Sequence, residues 1–296
     1  MAEPKDRTTK SAARAAGFPG LGSAAVISVD EVNRQARELG TGVPVARVAG
    51  LARNAPFVKI EDLRAGYGKM EILHSFNLQV ARGQSLCLIG PNGAGKSTVL
   101  HSIYGFTNIR SGRVLVGEGA AARDVTRMSA EDKLKEAGIA YILQDKSVFP
   151  GMTVEENLWM GGYLMEKPAM AKQAAEKIFD KYPRLAERRS KPAGVLSGGE
   201  RRLLEISRAL VMEPEILLVD EPSIGLEPRF IDMVFQILDE LQHRDGKTII
   251  MVEQNAKKGL EFADVGYVLV AGQLALANTG DELLQDPAVG RLFLGG

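Results

Sequence analysis

The sequence predicts an α/β fold built on a mainly parallel sheet, and three observations indicate it. Short apolar runs at Ser85–Ile89, 216–219 and Thr248–Val252 are typical of strands that are buried on both faces. Helical segments separate these runs, and strands that alternate with helices favour parallel pairing. The first run leads directly into a glycine-rich loop and then a helix that begins near Lys96, which places a ligand-binding connection at the edge of the sheet.

The other elements are predicted from their periodicity. Residues 57–63 and 72–80 alternate as half-buried strands do, with a turn at 81–84 before the first buried run. Further strands are predicted at 113–117, 139–143, 266–270 and 274–277, and residues 148–212 are predicted to be mostly helical. Thr153 and Glu156 have capping-box spacing, so a helix should begin there. Another helix is predicted over 229–244, where an apolar stripe is ended by Gly246.

Composition argues against several classes of protein. Among the 296 residues, 37 Lys and Arg balance 37 Asp and Glu, which gives no electrostatic reason to expect nucleic-acid binding. The single cysteine, Cys87, lies in a buried run, so no internal disulfide is possible and a reducing compartment is indicated. No run approaches the roughly 18 apolar residues of a membrane span. The apolar stretch near the N-terminus is broken by Gly and Pro, which argues against a cleaved signal peptide.

The first 55 residues differ in composition from the rest of the chain. They are rich in Ala, Gly and Arg and poor in large apolar residues. We therefore expect residues 1–55 to form a flexible extension, with at most a short helix near 30–39. No chemistry is predicted for this segment.

The strongest functional signal is the loop that follows the first buried strand. Its residues are Gly90, Pro91, Asn92, Gly93, Ala94, Gly95, Lys96, Ser97 and Thr98. They match the phosphate-binding pattern G-x-x-x-x-G-K-[ST] in full, between a strand and a helix. The glycines let main-chain amides turn toward phosphate oxygens, and the helix presents its positive end to the same anion. Lys96 is expected to reach the β- and γ-phosphates of ATP, and the Ser97 hydroxyl to coordinate Mg²⁺.

A second apolar strand, 216–219, ends in Asp220 and Glu221. Acids that end a strand are often merely solvated. In a parallel sheet, however, this end lies at the same edge as the phosphate loop. We then expect Asp220 to hold Mg²⁺ through water and Glu221 to polarise the attacking water near the γ-phosphate.

A third motif comprises Ser197, Gly198, Gly199 and Glu200 after Leu196. Ser197 and Glu200 alone are only a capping box, but the glycines expose amides at a helix N-terminus, which is an anion site. With the two earlier motifs, in this order, the sequence resembles the ABC ATPases. The resemblance implies a P-loop NTPase fold of the RecA-like type, with an antiparallel β-subdomain and an inserted α-helical signature subdomain. The domain would span 56–296, and the helical subdomain about 145–212.

The resemblance also assigns roles to residues outside these motifs. Tyr67 falls where the family stacks an aromatic ring on adenine, although an ordinary turn tyrosine would look the same. Gln144 falls where the family's glutamine contacts Mg²⁺ and couples to the membrane subunits. Residues 223–228 resemble the D-loop, with Glu227 in place of the more usual aspartate. In this family the nucleotide lies between two ATPase domains, bound by Tyr67 and the phosphate loop of one and by Ser197, Gly198 and Gly199 of the other.

One departure from the family concerns the switch histidine. Its position after the strand Thr248–Val252 is Gln254, and His74, His101 and His243 all lie elsewhere. Glutamine donates and accepts hydrogen bonds but cannot become charged. The resemblance thus gives Glu221, Lys96 and Gln254 as the catalytic set and puts a cationic switch in doubt.

The residues around this departure are similar to those of one branch of the family. Residues 252–256 (VEQNA), together with 148–158 and 182–189, are similar to the ATP-binding subunits of branched-chain amino acid importers of the LivF type. That branch implies permease subunits, a second ATPase subunit in a head-to-tail dimer, an external binding protein, and a place on the inner face of the plasma membrane. No nucleic-acid partner is expected. Two alternatives stay open: the ATPase of a related system for urea or lipopolysaccharide, and a soluble ABC ATPase that acts on nucleic acid or ribosomes.

Overall fold

The computed structural model describes residues 43–144 and 147–294, and these contain two β-sheets. The strands are β1 Pro56–Tyr67, β2 Met70–Ala81, β3 Ser85–Ile89, β4 Asn108–Val116, β5 Arg123–Asp124, β6 Ile139–Ile142, β7 Ile216–Asp220, β8 Thr248–Val252, β9 Val265–Val270 and β10 Gln273–Thr279. Every strand predicted from the sequence is present. β1, β2 and β4 run several residues longer than predicted, because their ends are only partly buried and lack a clear alternation.

The larger sheet has six strands in the order β10-β9-β3-β8-β7-β6. Its strands are parallel except for β10, which pairs antiparallel with β9. Every residue of β3, β7 and β8 is buried, so the prediction of strands covered on both faces is confirmed. Side chains alternate between two cores: Leu86 and Leu88 face one, and Cys87 and Ile89 face the other.

The smaller sheet is antiparallel, in the order β2-β1-β4-β5. Ile60 of β1 lies opposite Leu78 on one side and Val114 on the other, and all three belong to one core. This sheet is the antiparallel β-subdomain that the family resemblance implied. The mainly parallel α/β fold with an antiparallel subdomain is thereby confirmed.

The helices are α1 Val45–Leu51, α2 Lys96–Tyr104, α3 Ala130–Lys135, α4 Val154–Gly161, α5 Pro168–Lys181, α6 Pro183–Ala186, α7 Gly198–Leu210, α8 Pro228–His243, α9 Ala256–Phe262, α10 Gly280–Gln285 and α11 Pro287–Phe293. Helices α4 to α7 form the helical region that the sequence predicted. Thr153 and Ser197 both make complete capping boxes, which fix where α4 and α7 begin. Within the described residues, no helix is long and apolar enough to cross a membrane.

Besides α1, four short elements were not predicted: β5, α3, α10 and α11. Each has at most seven residues, which is too short for a periodic pattern. The three helices begin at side-chain caps instead. Ser129 caps α3, Thr279 caps α10 and Asp286 caps α11.

The segment before β1 differs from the prediction of a flexible extension up to residue 55. Helix α1 lies within it, and its Val48 is fully buried in the core beneath β2. The main-chain oxygen of Leu51 accepts a hydrogen bond from Gln84 Nε2 at 3.0 Å, and Arg53 pairs with Asp264. The packed part of the chain therefore begins before residue 56. The short helix predicted near 30–39 lies outside the described residues.

Candidate functional site

The carboxyl ends of β3, β7 and β8 meet at one edge of the larger sheet. Residues 90–95 connect β3 to α2, Asp220 ends β7, and Glu253 follows β8. Leu88 of β3 and Asp220 of β7 both pair with Val252 of β8, so the three ends are in register. The phosphate loop and the acids at 220–221 are therefore neighbours in the fold.

The phosphate loop adopts a backbone that requires glycine. Gly90 has φ of 143°, and a Cβ atom there would lie 2.2 Å from the main-chain oxygen of Leu269. Gly95 has φ of 98° and is the N-cap of α2. The free amides of the first turn of α2 thus follow directly from the loop, and they favour an anion at that position.

Lys96 is the first residue of α2 and is 6% exposed. Its Nζ donates hydrogen bonds to the main-chain oxygens of Gly90 at 2.8 Å and Pro91 at 3.1 Å. Burial lowers the pKa of the Lys96 ammonium, while Glu221 and Asp220 act in the opposite direction. The loop carbonyls thus hold this cation in the field of both acids.

Asp220 is 5% exposed and accepts two hydrogen bonds. Ser97 Oγ donates to its Oδ1 at 3.0 Å, and the hydroxyl of Tyr141 donates to its Oδ2 at 2.8 Å. A hydroxyl and a carboxylate oxygen at hydrogen-bond distance are the donor types that Mg²⁺ prefers, and Mg²⁺ commonly takes few protein ligands besides phosphate and water. The Ser97–Asp220 pair therefore fits this ion.

Glu221 has an unusual backbone for a residue with a side chain. Its φ is 44°, a conformation that costs of order 1–3 kcal/mol and persists where the surroundings enforce it. Its amide donates to the main-chain oxygen of Val252 at 2.9 Å, which anchors the turn to β8. Its Oε2 accepts a hydrogen bond from Gln144 Nε2 at 2.9 Å. The fold thus brings together two predicted residues that are far apart in sequence, and it places Gln144 at Glu221.

Tyr67 ends β1 and is 42% exposed. Its hydroxyl shares a hydrogen bond with Nδ1 of His101, and the two rings meet edge to face. Arg110 donates to the main-chain oxygen of Lys69 at 2.7 Å in the turn that follows. His101 thus holds the Tyr67 side chain next to α2, and Arg110 fixes the turn that follows it.

The signature residues begin α7 on another surface. Ser197 and Glu200 bond reciprocally, with Ser197 N to Glu200 Oε2 at 3.0 Å and Glu200 N to Ser197 Oγ at 3.3 Å. A Cβ at Gly199 would lie 2.2 Å from the ring of Phe230, so only glycine lets α7 approach α8 this closely. Within the described chain, the surface depression beside Ser197 is lined largely by arginines and α8 residues, with no phosphate-loop residue among them. One copy of the chain therefore presents these two motifs separately.

Gln254 is exposed and follows the buried Glu253 at the end of β8. Asn255 caps α9 by accepting a hydrogen bond from Lys258 N at 3.2 Å. The histidines lie elsewhere: His74 pairs with Glu71, His101 with Tyr67, and His243 with Asp239. The position of the switch residue is thus occupied by an uncharged side chain.

Sequence reasoning missed four residues around the site: Tyr141, His101, Glu253 and Arg202. Arg202 is 4% exposed and donates to the main-chain oxygen of Leu143 at 2.8 Å, beside Gln144. Each acts through a contact across at least 18 residues of sequence, which periodicity does not reveal. An acid between an apolar strand and a helix cap was the one available signal, at Glu253.

Comparisons with known proteins agree with this geometry. A family profile described as ABC transporter matches residues 73–224. The high-affinity branched-chain amino acid transport ATP-binding protein BraG of Pseudomonas aeruginosa is 40% identical over 78% of this chain and 96% of its own. The probable branched-chain amino acid transport ATP-binding protein LivF of Archaeoglobus fulgidus is 36% identical over 79% and 96%. The ADP conformation of MJ1267, an ATP-binding cassette of an ABC transporter, superposes with a TM-score of 0.71 at 28% identity, over 82% and 100% of the chains.

Proposed function

Since this chain belongs to the ABC transporter family and is an ATPase, we propose that it powers an importer of branched-chain amino acids. The observation that carries the proposal is the meeting of Lys96, the Ser97–Asp220 pair and Glu221 at one sheet edge. The class of cargo is supported by the similarity to BraG and LivF.

The residues of this edge suit phosphoryl transfer from ATP to water. Lys96 binds the β- and γ-phosphates, while the amides of residues 90–98 surround them. Ser97 and Asp220 would hold Mg²⁺, which would supply positive charge next to the phosphate oxygens. Glu221 orients and polarises the attacking water, and Gln144 holds the Glu221 carboxylate by its amide. This reaction needs little covalent help, so positioning and charge carry most of the rate.

A second ATPase subunit completes the site. Ser197, Gly198 and Gly199 lie at the N-terminus of α7, where free amides favour an anion. In a head-to-tail dimer these residues contact the γ-phosphate bound by Lys96 of the other subunit. Closure of the pair then depends on ATP, and hydrolysis releases it. Gln254 contributes a neutral hydrogen-bonding group to this site.

The link to the membrane is a groove between the larger sheet and the helical region. Phe149, Met160 and Tyr163 line it with substantial exposed area, beside Glu205 and Arg208. An exposed apolar strip with charges next to it suits an amphipathic segment of a partner. We assign the groove to the permease subunits, which places the protein on the cytoplasmic face of the plasma membrane. An external binding protein would deliver the cargo.

The experiment is a pair of substitutions in the purified protein. Lys96→Ala should abolish tight Mg-ATP binding, because no other cation of the loop replaces the ammonium. Glu221→Gln should keep binding but stall turnover and leave a persistent ATP-bound dimer, seen by gel filtration. Hydrolysis by Glu221→Gln at the wild-type rate would refute the catalytic assignment.

The identity of the transported cargo needs a separate test, because the residues of the ATPase site would not contact it. Co-expression with candidate permease subunits and a binding protein, followed by uptake of labelled leucine into vesicles, should show ATP-dependent import that Glu221→Gln abolishes. Uptake of urea instead, or salt-sensitive binding of the ATPase to nucleic acid, would favour the alternatives.

A further inference from the structure

Glu253 is a buried acid that the proposed chemistry does not use. It is 1% exposed, and its carboxylate accepts three hydrogen bonds. Ser223 Oγ donates to Oε1 at 2.8 Å, Asn255 N donates to Oε1 at 2.8 Å, and Ser223 N donates to Oε2 at 3.3 Å. Both oxygens are thus engaged by two loops, one after β7 and one after β8.

The stem of this side chain is enclosed by close packing. A Cβ atom at Gly259 of α9 would lie 3.0 Å from Cβ of Glu253 and 2.6 Å from Sγ of Cys87. The Glu253 amide donates to the main-chain oxygen of Leu88 at 3.4 Å. The stem of Glu253 is therefore packed between α9 and β3, and its carboxylate reaches Ser223 and Asn255.

Ser223 stands between the catalytic edge and the signature helix. Two residues before it, Glu221 turns with its amide bonded to β8. Three residues after it, the amide of Leu226 bonds to the main-chain oxygen of Ser223 at 3.2 Å, and the Leu226 side chain lies 3.6 Å from the Cβ position of Gly198. A shift of Ser223 would therefore move both Glu221 and the contact with the start of α7.

The chemistry of the three donors requires a carboxylate. They are all neutral, so burying a charge here costs more than burying an amide would. A glutamine of the same shape could keep the two hydrogen bonds to one oxygen. Its NH₂ group would then face the Ser223 amide, and two donors cannot bond to each other. The geometry of Ser223 therefore explains why this residue is a glutamate, because burial of its charge is in itself unfavourable.

We infer that Glu253 is a positioning residue for ATP hydrolysis, which fixes Ser223 and the loop of Gln254 so that Glu221 and the signature helix keep their relative placement. The inference rests on the proposed function of the Glu221 edge. Glu253 itself touches no reacting atom. It acts on the catalytic step and on the dimer contact, and not on nucleotide binding by Lys96.

The test compares Glu253→Gln and Ser223→Ala with the control Glu261→Gln, which makes the same change on the exposed face of α9. Loss of one hydrogen bond to a charged group should lower kcat roughly ten- to hundredfold in the two test variants. Mg-ATP affinity of the separated subunits should change by less than about threefold, since Lys96 is untouched. The double variant should lose little more than the worse single variant, because both changes weaken the link between the same two residues, Ser223 and Glu253.

Rescue separates positioning from a general loss of structure. Ser223→Thr keeps the hydroxyl and should retain most of the activity, while Ser223→Ala does not. If Glu253→Gln fails to fold, the Ser223 pair carries the test alone. Wild-type kcat in Ser223→Ala, or additive losses in the double variant, would overturn the inference. Wild-type kcat in Glu221→Gln would instead overturn the proposed function.

Discussion

The hydroxyl of Tyr67 and Nδ1 of His101 share a hydrogen bond that joins the end of β1 to α2. His101 lies on the helix that begins with Lys96, so the proposed adenine platform and the phosphate loop are connected. Phe106 and Tyr141 also pack edge to face on the His101 ring. Burial lowers the pKa of His101, while Asp220 acts in the opposite direction. The ring that would stack on the base is therefore placed before nucleotide arrives.

Removal of the Tyr67 ring should weaken the binding of ATP but not the binding of a triphosphate that lacks the base. Tyr67→Ala should lower Mg-ATP affinity roughly tenfold, since stacking of a base on an aromatic ring contributes about 1–3 kcal/mol. Binding of magnesium tripolyphosphate, which lacks the base, should not change. Tyr67→Phe keeps the ring, and His101→Phe removes only the nitrogen partner, so both should lose less. Calorimetric titration of the three variants with both ligands measures these effects, and equal losses for ATP and tripolyphosphate in Tyr67→Ala would contradict the stacking role.

Arg202 should contribute strongly to the stability of the fold. It is 4% exposed, pairs with Glu205 at 2.8 Å and also donates to the Leu143 main chain. Arg202→Met leaves the buried Glu205 uncompensated and should lower the free energy of unfolding by about 3–5 kcal/mol. Arg202→Met with Glu205→Leu should recover much of the loss. Urea denaturation measures both, with the exposed Arg244→Met as a control that changes little. Equal instability of the single and double variants would rule out the charge argument.

The proposed switch residue, Gln254, has no ionisable side chain, and this should affect how kcat depends on pH. Gln254 does not titrate, so wild-type kcat should be flat between about pH 6 and 8 where a free histidine changes charge. Gln254→His should introduce a step in that range. Steady-state hydrolysis across the range tests this, and Gln254→Asn serves as the uncharged control. A step in the wild type between pH 6 and 8 would show that another group titrates during turnover and would contradict the prediction.

Lys133 should make stability rise at alkaline pH. It is fully buried, and its Nζ has no hydrogen-bond partner among the residues that the structure describes. Burial lowers its pKa to about 8, whereas the unfolded chain keeps the ordinary value of about 10.4. Between these values the unfolded state binds more protons, so the free energy of unfolding increases with pH. The cost of the buried charge is present in full below pH 8.

Lys133→Met removes this cost and should stabilise the fold at pH 7 by roughly 1–3 kcal/mol. The advantage over the wild type should narrow as the pH rises from 8 to 10. Denaturation at several pH values measures the difference, and the exposed Lys135→Met, on the same helix, should show no such trend. A constant difference at all pH values would point to packing instead of charge.

The strands of the larger sheet could be predicted because each contains a short apolar run, and such a run must be buried in the fold. The same signal was absent from α3 and β5, where the structure depends on caps and on pairing with β4. Helix α1 was missed because only Val48 of its seven residues is buried. A single buried position has no period to detect.

The residues of the site also fall into those that the sequence could predict and those that it could not. That Lys96, Ser97 and Asp220 lie together could be predicted, because a phosphate-loop pattern and a strand that ends in an acid are visible in the sequence. Tyr141 could not, since its hydroxyl reaches Asp220 only through the pairing of β6 with β7. Gln144 was identified, but its contact with Glu221 follows from the tertiary fold across 77 residues of sequence.

Helix α1 changes where a minimal version of this protein can start. The sequence pattern places the start of the domain at residue 56, which would suggest trimming the chain there. That cut would expose the apolar residues that pack against Val48. It would also remove the main-chain oxygen of Leu51, to which Gln84 donates, and Arg53, which pairs with Asp264. A shortened protein intended for crystallisation or transport assays should therefore begin no later than residue 43.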